Sequence, residues 1–108
     1  MTAKELAEKL SLSVLTMPEP EAEVRGAYAG DLLSWVMGRA EEGNAWVTIM
    51  TNINTVAVAS LAGVSLVILC DSSEIEDEVI KTASQKSVNI ARTHLPMYET
   101  CVKLAEYV

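Results

Sequence analysis

The stretch VSLVIL at residues 64–69 decides the fold, because five of its six residues are apolar. A strand that is apolar at nearly every position is covered on both faces, which is typical of the centre of a parallel sheet. Shorter β-branched or alternating segments lie on either side of it in the chain. We expect those segments to be the other four strands: SLSVLT (11–16), VRGAYA (24–29), WVTIMT (46–51) and SVNIA (87–91).

Helix signals alternate with these strands from residue 24 onward. Capping residues predict four helices, over residues 3–9 (Thr2 with Glu5), 31–42 (Asp31), 55–61 (Asn54) and 74–86 (Ser73 with Glu76). A closing helix is expected from Pro96 to about residue 107. Short loops between alternating strands and helices indicate right-handed βαβ units. The sequence therefore predicts an α/β fold, a three-layer α/β/α sandwich with a mainly parallel five-stranded sheet, as one domain over residues 1–108.

Charge and composition exclude several classes of protein. Fifteen acidic residues against eight basic ones give a net charge of −7, which disfavours binding to nucleic acid or to an anionic membrane. The longest apolar stretch, residues 56–70, is interrupted by polar residues and is shorter than the roughly 20 residues of a membrane span. The N-terminus lacks a signal-peptide core, and Cys70 and Cys101 fit buried thiols. We expect a cytoplasmic protein.

Motifs of the common enzymes are missing from the sequence. None of the five glycines precedes the lysine of a P-loop, and no GxSxG nucleophile elbow occurs. His94 is the single histidine, and its place before a proline favours a hydrogen-bonded loop residue. We expect no catalytic residue, no metal site and no cofactor. An enzyme with an unrecognised acid/base site, built from Asp31, Asp71 and His94, remains an alternative.

Polar residues follow each strand from the second to the fifth. In a parallel sheet these turns share one edge, where open α/β folds bind ligands between helix N-termini. We call the four turns the polar rim, and we predict that a small anionic or polar ligand binds there. Helix capping alone explains the same residue types, so that alternative stays open. The predicted ligand-binding residues are Gly30, Asp31, Thr51, Asn52, Asn54, Asp71, Ser72, Thr93 and His94.

The helix after residue 31 carries more apolar residues than one sheet contact needs. On a helical wheel its apolar positions cover more than half the circumference, with Trp35 at the rim of that arc and Arg39 beside it. Trp and Arg are the residues most enriched at association hot spots. Trp35 and Arg39 are therefore the predicted interface of a homodimer, unless the indole covers a neighbouring helix of its own chain.

Residues 24–106 resemble the DRTGG domain. The resemblance is carried by the run from Gly30 to Met37 (GDLLSWVM), then Glu42-Gly43, the strand Trp46–Met50, the small residues Ala57–Ala59, and Thr93 before the closing helix. DRTGG domains are similar in fold to the N-terminal domain of HPr kinase/phosphorylase. They also occur in CBS-containing pyrophosphatases and in phosphotransacetylases, as dimerising and sometimes adenine-nucleotide-responsive modules.

The resemblance implies a non-catalytic regulatory module that forms a homodimer, with an adenine nucleotide as one expected ligand class. It does not imply kinase activity, because the P-loop domain is missing. Where the family has a glycine-containing segment after the central strand, this chain has Cys70-Asp71-Ser72-Ser73, and Asp71 would repel a phosphate there. The alternative is a protein-interaction subunit of a larger assembly that takes no small-molecule ligand.

Overall fold

Strand β4 (Leu66–Leu69) lies at the centre of a five-stranded sheet, and all four of its side chains are buried. The computed structural model describes residues 1–108. The strand order is β1-β5-β4-β3-β2, with β1 at Ser13–Thr16, β2 at Ala27–Ala29, β3 at Ala45–Thr48 and β5 at Ile90–Arg92. Strands β2 to β5 are parallel, and β1 joins the β5 edge antiparallel. The predicted α/β fold with a mainly parallel sheet is confirmed.

Helices cover both faces of the sheet. They are α1 (Ala3–Lys9), α2 (Leu33–Arg39), α3 (Ile53–Ala62), α4 (Asp77–Gln85) and α5 (Met97–Leu104). Strands β2, β3, β4 and β5 are neighbours in the sheet in the same order as in the chain. Right-handed connections between them place α2, α3 and α4 on the same face. Helices α1 and α5 cover the other face. The molecule is therefore a sandwich of helix, sheet and helix.

Two hydrophobic clusters hold these layers together. Successive side chains of a strand point to opposite faces, so on β3 the side chain of Trp46 enters one cluster and that of Val47 enters the other. Trp46 packs with Val36 of α2 and with residues of α3 and α4, whereas Val47 packs with Leu6 of α1 and with residues of α5. Burial on both faces explains why the central strands are apolar at consecutive positions.

Helix α1 has the bounds that its capping box predicts. The Thr2 hydroxyl accepts a hydrogen bond from the Glu5 N–H at 3.1 Å, and the Glu5 carboxylate accepts one from the Thr2 N–H at 2.9 Å. The hydrogen bond from the Thr2 N–H, with a smaller contribution from the Thr2 hydroxyl, lowers the pKa of the Glu5 carboxyl below its ordinary value, because both favour its charged form.

Helix α2 is shorter than predicted, and Asp31 does not cap it. The helix begins after Leu32, which forms no side-chain cap, and it ends at Arg39 instead of continuing to about residue 42. The Asp31 carboxylate is bonded to β3 instead, as described below, so it is not free to cap the helix. Ala40 leaves the helix with extended backbone (ψ 145°), which ends it before the expected Gly43 stop.

Two other predicted caps were wrong by a few residues. Helix α3 is capped by Asn52, whose side chain accepts a hydrogen bond from the Asn54 N–H at 2.8 Å, and not by Asn54. Helix α4 begins at Asp77 without a side-chain cap, and the Ser73 hydroxyl donates to the Cys70 carbonyl at 2.6 Å. The capping box expected between Ser73 and Glu76 is therefore absent.

All five strands begin later or end sooner than their predicted segments, β1 among them, which starts at Ser13 and not at Ser11. β2 starts at Ala27, since Gly26 has a φ of +74° that interrupts extended pairing. No helix in the structure is long and apolar enough to cross a membrane. Both cysteines are free, Cys70 fully buried and Cys101 half-buried.

Candidate functional site

The polar rim lies at the edge of the sheet where the four parallel strands end. The turns after β4 and β5 are bonded directly to each other, since the Asp71 N–H donates to the Leu95 carbonyl at 2.9 Å and the Ser72 N–H donates to the Thr93 carbonyl at 3.0 Å. Carboxyl ends of parallel strands form the crevice where open α/β folds bind ligands.

The turn after β2 is occupied by hydrogen bonds within the chain. One oxygen of Asp31 accepts from the Thr48 hydroxyl at 2.7 Å and from the Ile49 N–H at 3.0 Å. The Gly30 carbonyl accepts from the indole N–H of the buried Trp46 at 2.9 Å. We call this region the β2–β3 corner. Gly30 and Asp31 fasten β2 to β3 and line neither of the two rim grooves described next.

A groove of about 520 Å³ lies between the starts of α3 and α4, and we call it the α3–α4 groove. Of the predicted site residues it contains Thr51 and Asn52, whereas Asn54 does not line it. The carboxylates of Glu74 and Glu76 make it acidic. It is lined by Thr51, Asn52, Ile53, Glu74, Ile75, Glu76 and Val79.

A second groove of about 480 Å³ lies over the end of β5, and we call it the β5 groove. Its lining contains no apolar residue: Ser11, Ser13, Ser72, Glu74, Arg92, Thr93 and His94. Three of these, Ser72, Thr93 and His94, were predicted from the sequence. Glu74 lines both grooves, so the two are neighbours along the rim.

Arg92 is the main residue of the β5 groove that the sequence did not predict. Of the eight lysines and arginines, seven are exposed and Arg92 alone is half-buried. Its guanidinium donates to the Ser73 carbonyl at 3.2 Å. No carboxylate oxygen lies within 4.0 Å of it, since the one ion pair of the structure joins the Met1 amino group to Glu23. The β5 groove therefore holds a half-buried and unpaired positive charge.

Ser11 and Ser13 also line the β5 groove, although they belong to the start of the chain. Ser13 pairs with Arg92 across the antiparallel β1–β5 ladder, which brings β1 to the rim. The right-handedness of βαβ units predicts the order of β2 to β5, but it does not predict which edge of the sheet β1 joins. The alternation of serines in SLSVLT was the available signal, and it did not reveal the partner strand.

The loop after β4 has a left-handed backbone at two consecutive residues. Asp71 has a φ of +56° and Ser72 a φ of +51°, a conformation that favours glycine. This is the segment in which the DRTGG family has glycine. Asp71 is exposed and does not line the β5 groove. An anion bound in that groove would therefore not lie against the Asp71 carboxylate, whose repulsion the sequence led us to expect.

The three residues considered for acid/base chemistry do not form one constellation. Asp31 is bonded in the β2–β3 corner, Asp71 lies outside both grooves, and His94 is an exposed residue of the β5 groove. No three His, Cys, Asp or Glu side chains are grouped as metal ligands would be. Burial raises the pKa of the Cys70 and Cys101 thiols, which holds both in the protonated form at neutral pH.

Trp35 and Arg39 lie on the outer surface of α2. The Arg39 guanidinium stacks over the Trp35 ring, 3.7 Å from its centroid, and the Trp35 side chain is 52% exposed. About half of the Trp35 surface is therefore open to solvent. Leu32, one helical turn before Trp35, is 58% exposed, so the pair belongs to an apolar surface.

No protein-family model matches the sequence, and no curated protein sequence matches it significantly. A comparison of folds does find a solved structure. This chain is similar, with a TM-score of 0.71 and 14% sequence identity over 95% of its length, to the crystal structure of the CBS and DRTGG domains of the regulatory region of Clostridium perfringens pyrophosphatase, complexed with the activator diadenosine tetraphosphate. The chain spans 45% of that structure's length. The likeness supports a DRTGG-like fold.

Proposed function

We propose that this chain is a non-catalytic regulatory module that forms a homodimer and binds a small ligand at the polar rim. The observation that carries the proposal is the pair of grooves at the carboxyl edge of a parallel sheet, one of mixed lining and one lined only by polar residues, which share Glu74. The similarity of the fold to the regulatory region of a pyrophosphatase supports it, because that region was crystallised with a nucleotide activator. An adenine nucleotide is one ligand class that this kinship favours.

The homodimer is proposed to form through the outer surface of α2. Trp35 and Arg39 lie on one side of this helix, four residues apart, and the exposed Leu32 directly precedes its first residue. A half-exposed tryptophan stacked with arginine offers a large, rigid contact area, and a twofold axis would bury the same surface on both copies.

A thermal-shift screen tests the ligand. Nucleotides and small anions are added to the purified chain, and melting is followed by calorimetry. A ligand at a hundred times its dissociation constant adds about 2.7 kcal/mol of stability, which raises the melting temperature of a domain of this size by roughly ten degrees or more. If no compound of the panel raises it, the chain does not sense a ligand of these classes.

Light scattering after gel filtration tests the dimer. The expected mass is twice the 11.7 kDa of the chain, and Trp35→Ala should shift it to the monomer. Tyr98→Ala is the matched control, because Tyr98 is 79% exposed on α5, a different helix. A monomeric wild-type chain would disprove the dimer, and a dimer that survives Trp35→Ala would place the contact elsewhere.

A protein-interaction subunit of a larger assembly is the second proposal, and the same surface favours it. If Trp35 binds a different protein, the chain is a monomer alone and the screen gives no shift. The two proposals therefore predict opposite results in both experiments.

A further inference from the structure

We propose that the β5 groove binds the phosphate group of a phosphorylated small molecule, with Arg92 as its anchor. This inference rests on the proposed function, which it deepens by naming the groove and the chemical class of the ligand. Nothing in the sequence patterns pointed to Arg92, and the assignment comes from its burial and its neighbours.

The first observation is the unpaired charge of Arg92 itself. The chain has 15 acidic residues, yet the least exposed of its basic side chains has none of them as a partner. A guanidinium carries five N–H donors, and one of its nitrogens is bonded to the Ser73 carbonyl. The remaining donors are left for a ligand, and a planar guanidinium fits phosphate oxygens in a bidentate geometry.

The second observation is the set of hydroxyl donors around Arg92. The Thr93 side chain is 8% exposed, and its oxygen accepts from the Leu95 N–H at 3.2 Å. That bond leaves the hydroxyl proton of Thr93 without an acceptor in the chain. Three serines, Ser11, Ser13 and Ser72, also line the groove, and each carries a hydroxyl. A phosphate has three oxygens that accept hydrogen bonds, so these donors match a phosphate better than a cation.

The third observation concerns the rest of the ligand. The groove volume of about 480 Å³ exceeds what one phosphate needs and lies within the range of small-molecule sites. Beyond the phosphate position the groove meets Glu74, a carboxylate that accepts hydrogen bonds but repels a second anion. We therefore infer a phosphate monoester whose remainder carries hydroxyl groups, such as a sugar phosphate or a nucleoside monophosphate.

The test is a titration followed by NMR of the backbone amides and of the arginine side chains. The probes are inorganic phosphate, ribose 5-phosphate and AMP, with sodium acetate as the non-phosphate anion, all at constant ionic strength. We expect saturable shifts at Ser72, Thr93 and the Arg92 side chain with the phosphate compounds, and weaker or no shifts with acetate. Ribose 5-phosphate should bind more tightly than inorganic phosphate, since its hydroxyls reach Glu74.

Two variants and a matched control examine the anchor. Arg92→Gln should weaken binding by about tenfold or more, the usual worth of a hydrogen bond to a charged group. Arg25→Gln removes the same charge from an exposed site outside the groove and should leave the affinity within about twofold. Glu74→Gln should tighten phosphate binding by about twofold, and this gain cannot arise from misfolding.

The outcomes separate this inference from the proposed function. If ligand shifts map to Thr51, Asn52 and Ile75 and persist in Arg92→Gln, the rim binds a ligand in the α3–α4 groove and the Arg92 assignment is wrong. If Arg25→Gln weakens binding as much as Arg92→Gln, binding depends on the overall charge of the chain, and the assignment of Arg92 as the anchor is wrong. If no probe gives saturable shifts, the phosphate assignment fails, while the dimer can still stand in light scattering.

Discussion

The β2–β3 corner and the β5 groove follow the same sequence pattern, a polar turn after a buried strand, but they use their polar groups in opposite ways. In the corner, the Asp31 carboxylate and the Gly30 carbonyl accept hydrogen bonds from Thr48, Ile49 and Trp46, so both groups already have partners within the chain. In the groove, Arg92 has one hydrogen bond within the chain, to the Ser73 carbonyl, and the residues that line the open space with it include three serines and Thr93. The comparison teaches that a polar turn in the sequence indicates the edge of the sheet. Whether its side chains stabilise the fold or are free for a ligand depends on their hydrogen-bond partners in the structure.

The largest expected effect that tests this contrast is at Asp31. Asp31→Ala should destabilise the fold by about 2–3 kcal/mol, because it removes two hydrogen bonds to a charged acceptor and leaves the fully buried Thr48 hydroxyl without that acceptor. The free energy of unfolding is measured by urea denaturation.

Asp71→Asn is the control for Asp31→Ala. It removes another rim carboxylate, which is exposed, and Asn tolerates the left-handed backbone of this position. Its stability should change by less than about 0.5 kcal/mol. If Asp31→Ala kept the stability and abolished ligand binding, the corner would be part of the site and the contrast would be lost.

The sequence predicted the fold well because burial is a local property of the strands. Consecutive apolar residues in β4 and the alternation of strands and helices were enough to define the parallel sheet and its layers. Two of the three failed capping predictions have one physical reason: a side chain that can cap a helix can also bond elsewhere. Asp31 bonds to β3 and Ser73 bonds to the Cys70 carbonyl, partners that are distant or ambiguous in the sequence.

The lining of the candidate β5 groove could be predicted from the sequence only in part. Ser72, Thr93 and His94 were found because they follow parallel strands, and strand ends are visible in the sequence. Arg92 was missed although it directly follows the predicted strand, because an arginine at the end of a strand usually has a solvated head group; in the structure it is the last residue of β5. Ser11 and Ser13 were missed because the antiparallel pairing of β1 with β5 follows from no rule of βαβ connection.

A smaller effect is expected at Ser72, and it sharpens the contrast between folding and binding. Ser72→Gly should stabilise the fold by about 0.5–1 kcal/mol, since glycine adopts a φ of +51° without the steric cost that a Cβ incurs. The same change removes a hydroxyl from the β5 groove and should weaken phosphate binding.

Ser87→Gly is the matched control for Ser72→Gly. Ser87 has a φ of +60° after α4 and lies outside the β5 groove, so its replacement should give a similar gain in stability with unchanged binding. Equal losses of binding in both variants would mean that Ser72 contributes through the flexibility of the chain and not through its hydroxyl.

The smallest expected effect is at Cys70, the residue where the two regions meet. Its N–H donates to the Thr48 carbonyl at 3.0 Å and its carbonyl accepts from Ser73, so it is bonded toward both. Because burial raises the pKa of the Cys70 thiol, the folded chain keeps a proton that the unfolded chain loses. The stabilising contribution is therefore fully present below the unfolded thiol pKa of about 8.5 and is lost as the pH rises above it.

The rate of alkylation measures how well the Cys70 thiol is protected from solvent. With iodoacetamide at pH 8, the half-buried Cys101 should react first and Cys70 only on the timescale of unfolding, as followed by mass spectrometry of the intact chain and its peptides. Asp31→Ala should speed the reaction of Cys70 by lowering global stability, whereas Asp71→Asn should not. Fast modification of Cys70 in the wild-type chain would mean that the end of β4 opens locally, and then the loop that carries Ser72 would be a moving part of the groove and not a fixed wall.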